Sequence, residues 1–564
     1  MTTTHLIDKA NTYIRRLCLE IPNRRVGSIG NQAATDYFAR VAASFGFTVD
    51  TPSFDCMDWT VESARLTVGD TLYGVFASPY SLGCQVQAPL RVASTVAELE
   101  ASDVTGSILL LQGEIAKEQL MPKNFPFYNP EHHQQIIHFL EAKKPGAIVT
   151  ATSRNAAMVG SIYPIPLIED GDFDIPSVYM TEAEGNRLAG DVGKSASLES
   201  RAHRLPSKGC NVIARKGGQT HQRVVICAHI DSKRGSPGAV DNAGGVIGLL
   251  LLAELLADYS GKPGIDLVAM NGEDYYSNPG EQQYLTLNAG RFSEIVLGIN
   301  LDGVGYHKGD IAYSLYDCPA NLGDQIRAAL TGSPGIVAGE AWYQGDHGLF
   351  IMNQRPALAF TSSLAAELLS DIIHGPKDSL ELIDTAKLAN LAHALRDLVL
   401  NLNQRKAAVA KTSIGRLTES VDRFCRFITA LPADALAERE WGPKEVLAHL
   451  VYYHELYVGR VQAFLSRTPV DLPVGRYLDL NAQAAASSRG IPPAGLVDRF
   501  QRANARLSEL YQQHDPYEIP VQIKAGVKVF TLAELVPAVE GHIRNHLKVL
   551  KKVLPQGSRM TTGR

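Results

Sequence analysis

The chain has little sulfur chemistry to offer. Its seven cysteines are scattered through 564 residues without a Cys-x-x-Cys pair, and their number is odd. No disulfide framework or thiolate metal site can be read from them, and reduced thiols in a cytoplasm fit best. The first residues, MTTTHLIDKANTYIRRLCLEIPNRR, lack an apolar core of signal-peptide length. The longest apolar stretch, Val246 to Leu256, carries Glu254 and is too short to span a bilayer. A soluble, cytoplasmic protein without a membrane partner is therefore expected. Dense Lys/Arg runs are missing as well, and a formal charge of -5 leaves no electrostatic footprint for nucleic acid or acidic lipid. Pro, Gly and Ser are nowhere concentrated enough for a long disordered tract, and no repeat of solenoid length is present.

What is present is an ordinary globular composition, 45% hydrophobic and 20% charged, over a length that suggests roughly three or four domains. Between about Val224 and Leu402, short apolar runs (VVICA, IDLVAM, IVLGINL, ALAFT) alternate with amphipathic helical stretches. That alternation predicts an α/β domain with a mixed, mostly parallel sheet flanked by helices. The segment AATDYFARVAASFGF, from Ala33 to Phe47, predicts a helix ending at Gly46 that could pack on this sheet. From roughly Trp59 to Leu198 short strands and loops predict a β-rich inserted module, with a helix starting at Glu182. Beyond about Thr412 apolar residues recur at helical spacing, as in Ile414, Leu417, Val421, Phe424 and Ile428, which predicts an all-α four-helix bundle. The expected domains are thus 1–58 with 205–405, 59–204, and 412–555.

Within the α/β region, acidic and imidazole residues fall just after successive apolar runs. His229 and Asp231 follow VVICA, Glu273 and Asp274 follow IDLVAM, and Asp302 follows IVLGINL. Open α/β sheets bind ligands at the carboxyl ends of their strands, so these side chains should converge on one crevice. Asp241, in the Gly-rich turn GAVDNAGG, and His374, in the loop IIHGPKD, join them. Alone, each is an ordinary cap or turn residue. Together, the carboxylates would repel one another unless cations compensate them. Two histidines with three carboxylates and no thiolate suit zinc, and five ligands with one carboxylate able to bridge fit two ions. Glu273 is then placed to act as general base, and Asp231 to hold the second ring nitrogen of His229.

The ordered motifs HID, GAVDNAGG, NGED, NLDGVG, GDHGLF and IIHGPKDS resemble the bi-zinc aminopeptidase family, which includes bacterial leucyl aminopeptidases and glutamate carboxypeptidase. The resemblance implies zinc ligands at His229, Asp241 (bridging), Asp274, Asp302 and His374, with Glu273 as base and a peptide as substrate. The inserted module resembles the protease-associated domain of that family. Two positions depart from its pattern. Asp274 stands where Glu is commoner, and Ile373 stands where many relatives have a Tyr that stabilises the oxyanion, which leaves only Tyr343 to suggest for that role. The segments WGPKEVLAHLVYYHE and VEGHIRNHLKVL resemble the DinB-like helical fold, implying a further divalent metal at His449, His542 and His546, with His454 a bystander. His132, His133 and His138 have no metal-binding framework in the sequence and are read as surface residues.

An aminopeptidase is the leading expectation. A carboxypeptidase acting on acidic peptides should need cationic residues near the metals, where only Arg355 stands out. A single-zinc acyltransferase of the glutaminyl cyclase type shares the scaffold. A non-catalytic binding protein is disfavoured because all six key positions are present. A last alternative places the main activity in the C-terminal bundle.

Overall fold

The computed structural model describes residues 2–21, 23–154, 162–217, 222–438 and 441–553. The chain forms two compact units, Met1–Asn401 and Leu402–Arg564. Among the described residues no helix is long and apolar enough to cross a membrane.

The first unit contains two eight-stranded sheets. One runs in the order Thr48–Asp50, Val212–Lys216, Gly264–Met270, Arg223–His229, Ile295–Leu301, Ala357–Ser362, Ile311–Tyr316 and Ile336–Ala338. Its four central strands, Gly264–Met270 through Ala357–Ser362, are mutually parallel, while antiparallel strands flank them on both sides. The apolar runs of the sequence are these central strands, and their residues are buried because helices cover the sheet. The helix Gly244–Leu255 is buried almost all round, and its one acid, Glu254, is met by Nε2 of His5 at 2.7 Å. The helix Ile29–Ser44 ends at a left-handed Gly46, as expected.

The second sheet has the order Thr71–Tyr73, Ser53–Val68, Ser195–Cys210, Cys84–Ala93, Ile108–Leu111, Ala147–Thr152, Ser177–Thr181 and Phe76–Ala77. Its backbone is a pair of sixteen-residue strands, Ser53–Val68 against Ser195–Cys210, paired from Ser53↔Cys210 to Val68↔Ala196. The chain leaves the first sheet after Asp50 and rejoins it at Val212, so this sheet extends beyond 59–204 at both ends. Helices Val96–Ala101, Glu131–Lys143 and Glu182–Ala189 accompany it, and separate apolar clusters fill around it.

The second unit is built from the last part of the helix Thr385–Thr429 together with Pro443–Ser466, Tyr477–Ala486, Pro493–Gln513 and Leu532–Val553. Its core joins Leu417, Val421, Phe424, Leu447, Val451, Phe500, Leu507, Leu535 and Ile543. A short hairpin, Pro520–Val521 with Phe530–Thr531, interrupts the helical pattern. Residues 554 and 555 of the expected bundle lie outside the described residues.

Candidate active site

Three loops at the carboxyl ends of parallel strands carry the acidic and imidazole residues. His229 closes the strand Arg223–His229, Asn271–Asp274 follow Gly264–Met270, and Asp302 follows Ile295–Leu301. Asp241 lies in the turn Ala239–Ala243, ahead of the helix Gly244–Leu255, and is tied down from two sides. The carboxylate of Asp378 accepts the backbone N–H of Val240 at 2.7 Å and that of Asp241 at 3.1 Å. The Asn242 amide donates to the Leu301 carbonyl at 2.8 Å and accepts from the Gly245 N–H at 3.0 Å. His374 sits in the left-handed backbone region at φ 62, unusual for a residue with a side chain, which turns its ring back onto this turn.

The side chains meet. Asp241 presents one carboxylate oxygen 3.0 Å from His229 Nε2 and the other 3.0 Å from His374 Nε2. Asp302 lies 3.6 Å from His229 Nε2, and Asp274 lies 3.2 Å from His374 Nε2. The donor atoms of His229, Asp241 and Asp274 are all within 4.8 Å of one another. Cations held at roughly 2.0–2.2 Å from such atoms require this crowding. Both ring nitrogens of His229 and one oxygen of Asp274 are buried without a hydrogen bond, an arrangement too costly to be structural filler. The donor set, two imidazoles and three carboxylates, fits borderline divalent ions.

The electrostatics express the same crowding. Burial disfavours charge on His229, yet the carboxylates of Asp231, Asp241 and Asp302 outweigh it and hold the imidazole well above its ordinary pKa. His374 is raised likewise against its burial by Asp274 and Asp241. Burial would raise Asp241, but the two imidazoles more than reverse this and hold it low. Glu273 is pushed well above the usual carboxylate range, first by burial and then by Asp302, Asp274 and Asp241. A divalent cation would take the place of the protons that these groups otherwise share.

Several residues behave differently from the sequence expectation. Asp231 lies 3.7 Å from His229 Nδ1, beyond a hydrogen bond. Its oxygens accept the N–H groups of Gly272 and Asp274 at 2.8 and 3.0 Å, so it fixes the loop that bears Glu273. Arg355 donates to the Ile295 carbonyl at the start of a strand whose far end leads to Asp302, which places it away from the cluster. Tyr343 is 74% exposed and stacks edge-on with Tyr316, while Ile373 is buried with Val240 and Tyr306. His133 is buried, not at the surface: the helix Glu131–Lys143 turns it inward with Ile136, Ile137 and Leu140. Its Nδ1 accepts the Met121 N–H at 3.0 Å, and a carboxylate, Glu118, lies 3.2 Å from its Nε2 and 3.0 Å from that of His132.

Three further residues were not singled out from the sequence. Asp378 is one. Asp346, in the motif GDHGLF, buries both carboxylate oxygens without a partner, and burial followed by Glu281 and Glu273 raises it well above the carboxylate range. Lys233 pairs with Glu169 of the second sheet's loops at 3.0 Å. Although burial opposes its charge, Glu169, Asp274 and Glu273 keep it firmly cationic. An aromatic group from the second sheet, Trp59 and Tyr80, packs on Tyr275 and Tyr276, directly after Glu273 and Asp274.

The residues around the cluster match Peptidase family M28, over 211–399. The M28 match takes in every member of the cluster and excludes most of the second sheet and the second unit. Similar curated proteins include the Probable lipoprotein aminopeptidase LpqL of Mycobacterium tuberculosis, 27% identical over 334 residues that cover 56% of this chain and 61% of that one. The Probable leucine aminopeptidase 2 of Aspergillus fumigatus is 24% identical over 431 residues, 71% of this chain and 80% of that one. The chain thus spans under two thirds of the length of LpqL. Among solved structures, the aminopeptidase from Aneurinibacillus sp. strain AM-1 superposes with a TM-score of 0.56 at 22% identity, covering 70% of this chain and 93% of that one. BSAP, a zinc aminopeptidase from Bacillus subtilis, gives 0.55 at 19% identity, covering 70% and 94%. These likenesses establish a mixed α/β fold with sheets flanked by helices.

In the second unit, His449 Nε2 lies 3.0 Å from His542 Nε2, and His546 Nε2 lies 3.1 Å from the same atom. Burial lowers all three imidazoles, His449 and His546 to about 4, and at those two the neighbouring imidazoles add to it. His454 is separate, packed edge-on against Phe500.

Proposed function

We propose that the protein is an aminopeptidase that hydrolyses N-terminal peptide bonds with two zinc ions held in the cluster. The observation that carries this reading is the placement of Asp241, whose two oxygens face different imidazoles at the same 3.0 Å. His229 with Asp302 would hold one ion, His374 with Asp274 the other, and Asp241 both. When bound, such ions polarise a scissile carbonyl and acidify an attacking water. Glu273, beside the ligand Asp274, accepts the proton of that water and returns it to the departing amine. Asp231 and Asp378 hold the two ligand-bearing loops through backbone N–H groups, so that the carboxylates need not move during the reaction.

Cleavage at the amino end is favoured over a carboxypeptidase because neither Lys233 nor Arg355 is free to meet a terminal carboxylate. Lys233 is paired with Glu169, and Arg355 is occupied at the opposite end of its strand. Zinc analysis of the whole chain combined with a panel of aminoacyl chromogenic amides tests the reading. Two ions in the cluster and release of the chromophore are expected. A single ion there, with cyclisation of N-terminal glutamine and no amide hydrolysis, would replace it with the acyltransferase reading.

We also propose that His449, His542 and His546 hold one further divalent cation. Three ring nitrogens converging within hydrogen-bonding distance, each disfavoured as imidazolium, support this. His542→Ala should lower the zinc content by one ion per chain without changing peptide hydrolysis. An unchanged zinc count would remove the site.

A further inference from the structure

Arg24 is the largest fully buried side chain among the described residues. A guanidinium cannot shed its proton, so burying one is costly unless its N–H groups are satisfied. Here four of the five are met by backbone carbonyls of three separate segments. Nε donates to Ile230 at 3.0 Å, Nη1 to Leu17 at 2.9 Å and Pro237 at 2.7 Å, and Nη2 to Gly238 at 2.8 Å. Ile230 lies between His229 and Asp231, and Gly238 opens the turn that carries Asp241. One rigid fork therefore sets the spacing between the loops of His229 and Asp241. The fit is close on the other side too. Gly238 has φ +60, and a Cβ there would stand 2.6 Å from Arg24 Nη2.

The third loop is held seven residues further along. Asn31, fully buried, donates to the Arg24 carbonyl at 2.9 Å and forms a reciprocal amide pair with Asn271, at 2.8 and 2.9 Å. Asn271 is the residue after the strand Gly264–Met270 and stands two before Glu273. Its own N–H is accepted by Asn211 at 3.0 Å. Both Arg24 and Asn31 lie outside the region matched by the M28 family, and their side chains bond backbone carbonyls and Asn271 rather than the cluster's side chains.

We propose that Arg24 and Asn31 are positioning residues, an N-terminal brace that fixes the loops of His229, Asp241 and Glu273–Asp274 relative to one another before any cation arrives. The brace rests on the metallopeptidase reading for its purpose, but its mechanical part is independent of it. In the brace, order in the metal-free chain depends on these two side chains. Supports of this kind typically change metal affinity or turnover by about 10- to 100-fold when removed.

The test compares the whole chain with Arg24→Lys, Arg24→Met and Asn31→Ala, each well below its own unfolding temperature. Amide hydrogen exchange in the zinc-free proteins should quicken at least about tenfold at Val240, Asp241, Gly272 and Asp274, while the interior of Arg223–His229 stays protected. Titrated with zinc ions alone, the variants should bind at least about tenfold more weakly. At saturating zinc, kcat should fall with KM little changed, and Arg24→Lys should recover part of the loss because it keeps the charge but not the fork. Folded variants with only a lower Tm, and with wild-type exchange and zinc affinity, would overturn the proposal. If Arg24→Met does not fold, the same criteria apply to Arg24→Lys and Asn31→Ala. A wild-type chain that binds no zinc would count against the proposed function, while the exchange measurement still decides the brace.

Discussion

Asp241 faces two imidazoles with two different oxygens, so its loss cannot be made good by a neighbour. Asp241→Asn keeps the size but replaces one oxygen with a donor and removes the charge, and we predict that the paired ions are lost together. Zinc counted after dialysis checks this, and retention of both ions would mean that another residue bridges them. Glu273 directly precedes Asp274, and in the proposed mechanism it becomes the proton acceptor once cations offset the burial and neighbouring carboxylates that raise it. Glu273→Gln should keep the ions and lower kcat by about 10²- to 10⁴-fold, measured as steady-state hydrolysis alongside metal content. Turnover near the wild-type rate would dismiss the assigned base. At this scale the sequence was informative where chemistry coincides with strand ends, because His229, Asp274 and Asp302 all follow apolar runs. Asp346, Asp378 and Lys233 stand in similar loops, but their importance comes from burial and from partners far along the chain, which local pattern does not encode. His133 differs from its surface reading for a related reason: the sequence shows no metal-binding framework beside it, whereas the fold buries it with Ile136 and Leu140 and brings Glu118 to its ring.

Among the elements, the four central parallel strands were legible because strands buried on both faces must be apolar throughout. The pair Ser53–Val68 and Ser195–Cys210 was not. Its residues include Asp55, Asp58, Glu62 and Arg65 on one strand and Glu199, Arg201 and Arg204 on the other, and half-exposed strands of this length read as loops. The helix Pro443–Ser466 carries a measurable consequence. His454 is 1% exposed, and burial lowers its pKa to about 4. Its neutral form is favoured in the fold, whereas the unfolded chain takes up a proton near pH 6.5. The stability that His454 contributes is therefore complete above about pH 6.5 and declines as the pH falls toward 4, by an amount on the order of 3 kcal/mol. His454→Leu should flatten that decline, read as urea midpoints for the second unit at pH 7 and pH 4.5. An identical acid sensitivity in the variant would show that other groups set it.

For the molecule as a whole, metal dependence is the simplest check. A chelator should abolish hydrolysis by the intact chain, and added zinc should restore it; activity that survives exhaustive chelation would speak against any cluster-based mechanism. The second sheet begins and ends further out than the change of texture along the sequence suggests.

The way this sheet joins the first has a practical meaning. Ser53 and Cys210 face each other across one ladder, and Asp50 faces Ile213 across the next, so the two crossings lie side by side. Excision of 53–210 would leave two neighbouring antiparallel ends that a tight turn of a few residues can close. The excision would remove Trp59 and Tyr80 and bare Tyr275 and Tyr276, which directly follow Glu273 and Asp274. A shortened protein of that design should still capture zinc on titration, and a change in the aminoacyl amides it cleaves would assign selectivity to the excised residues.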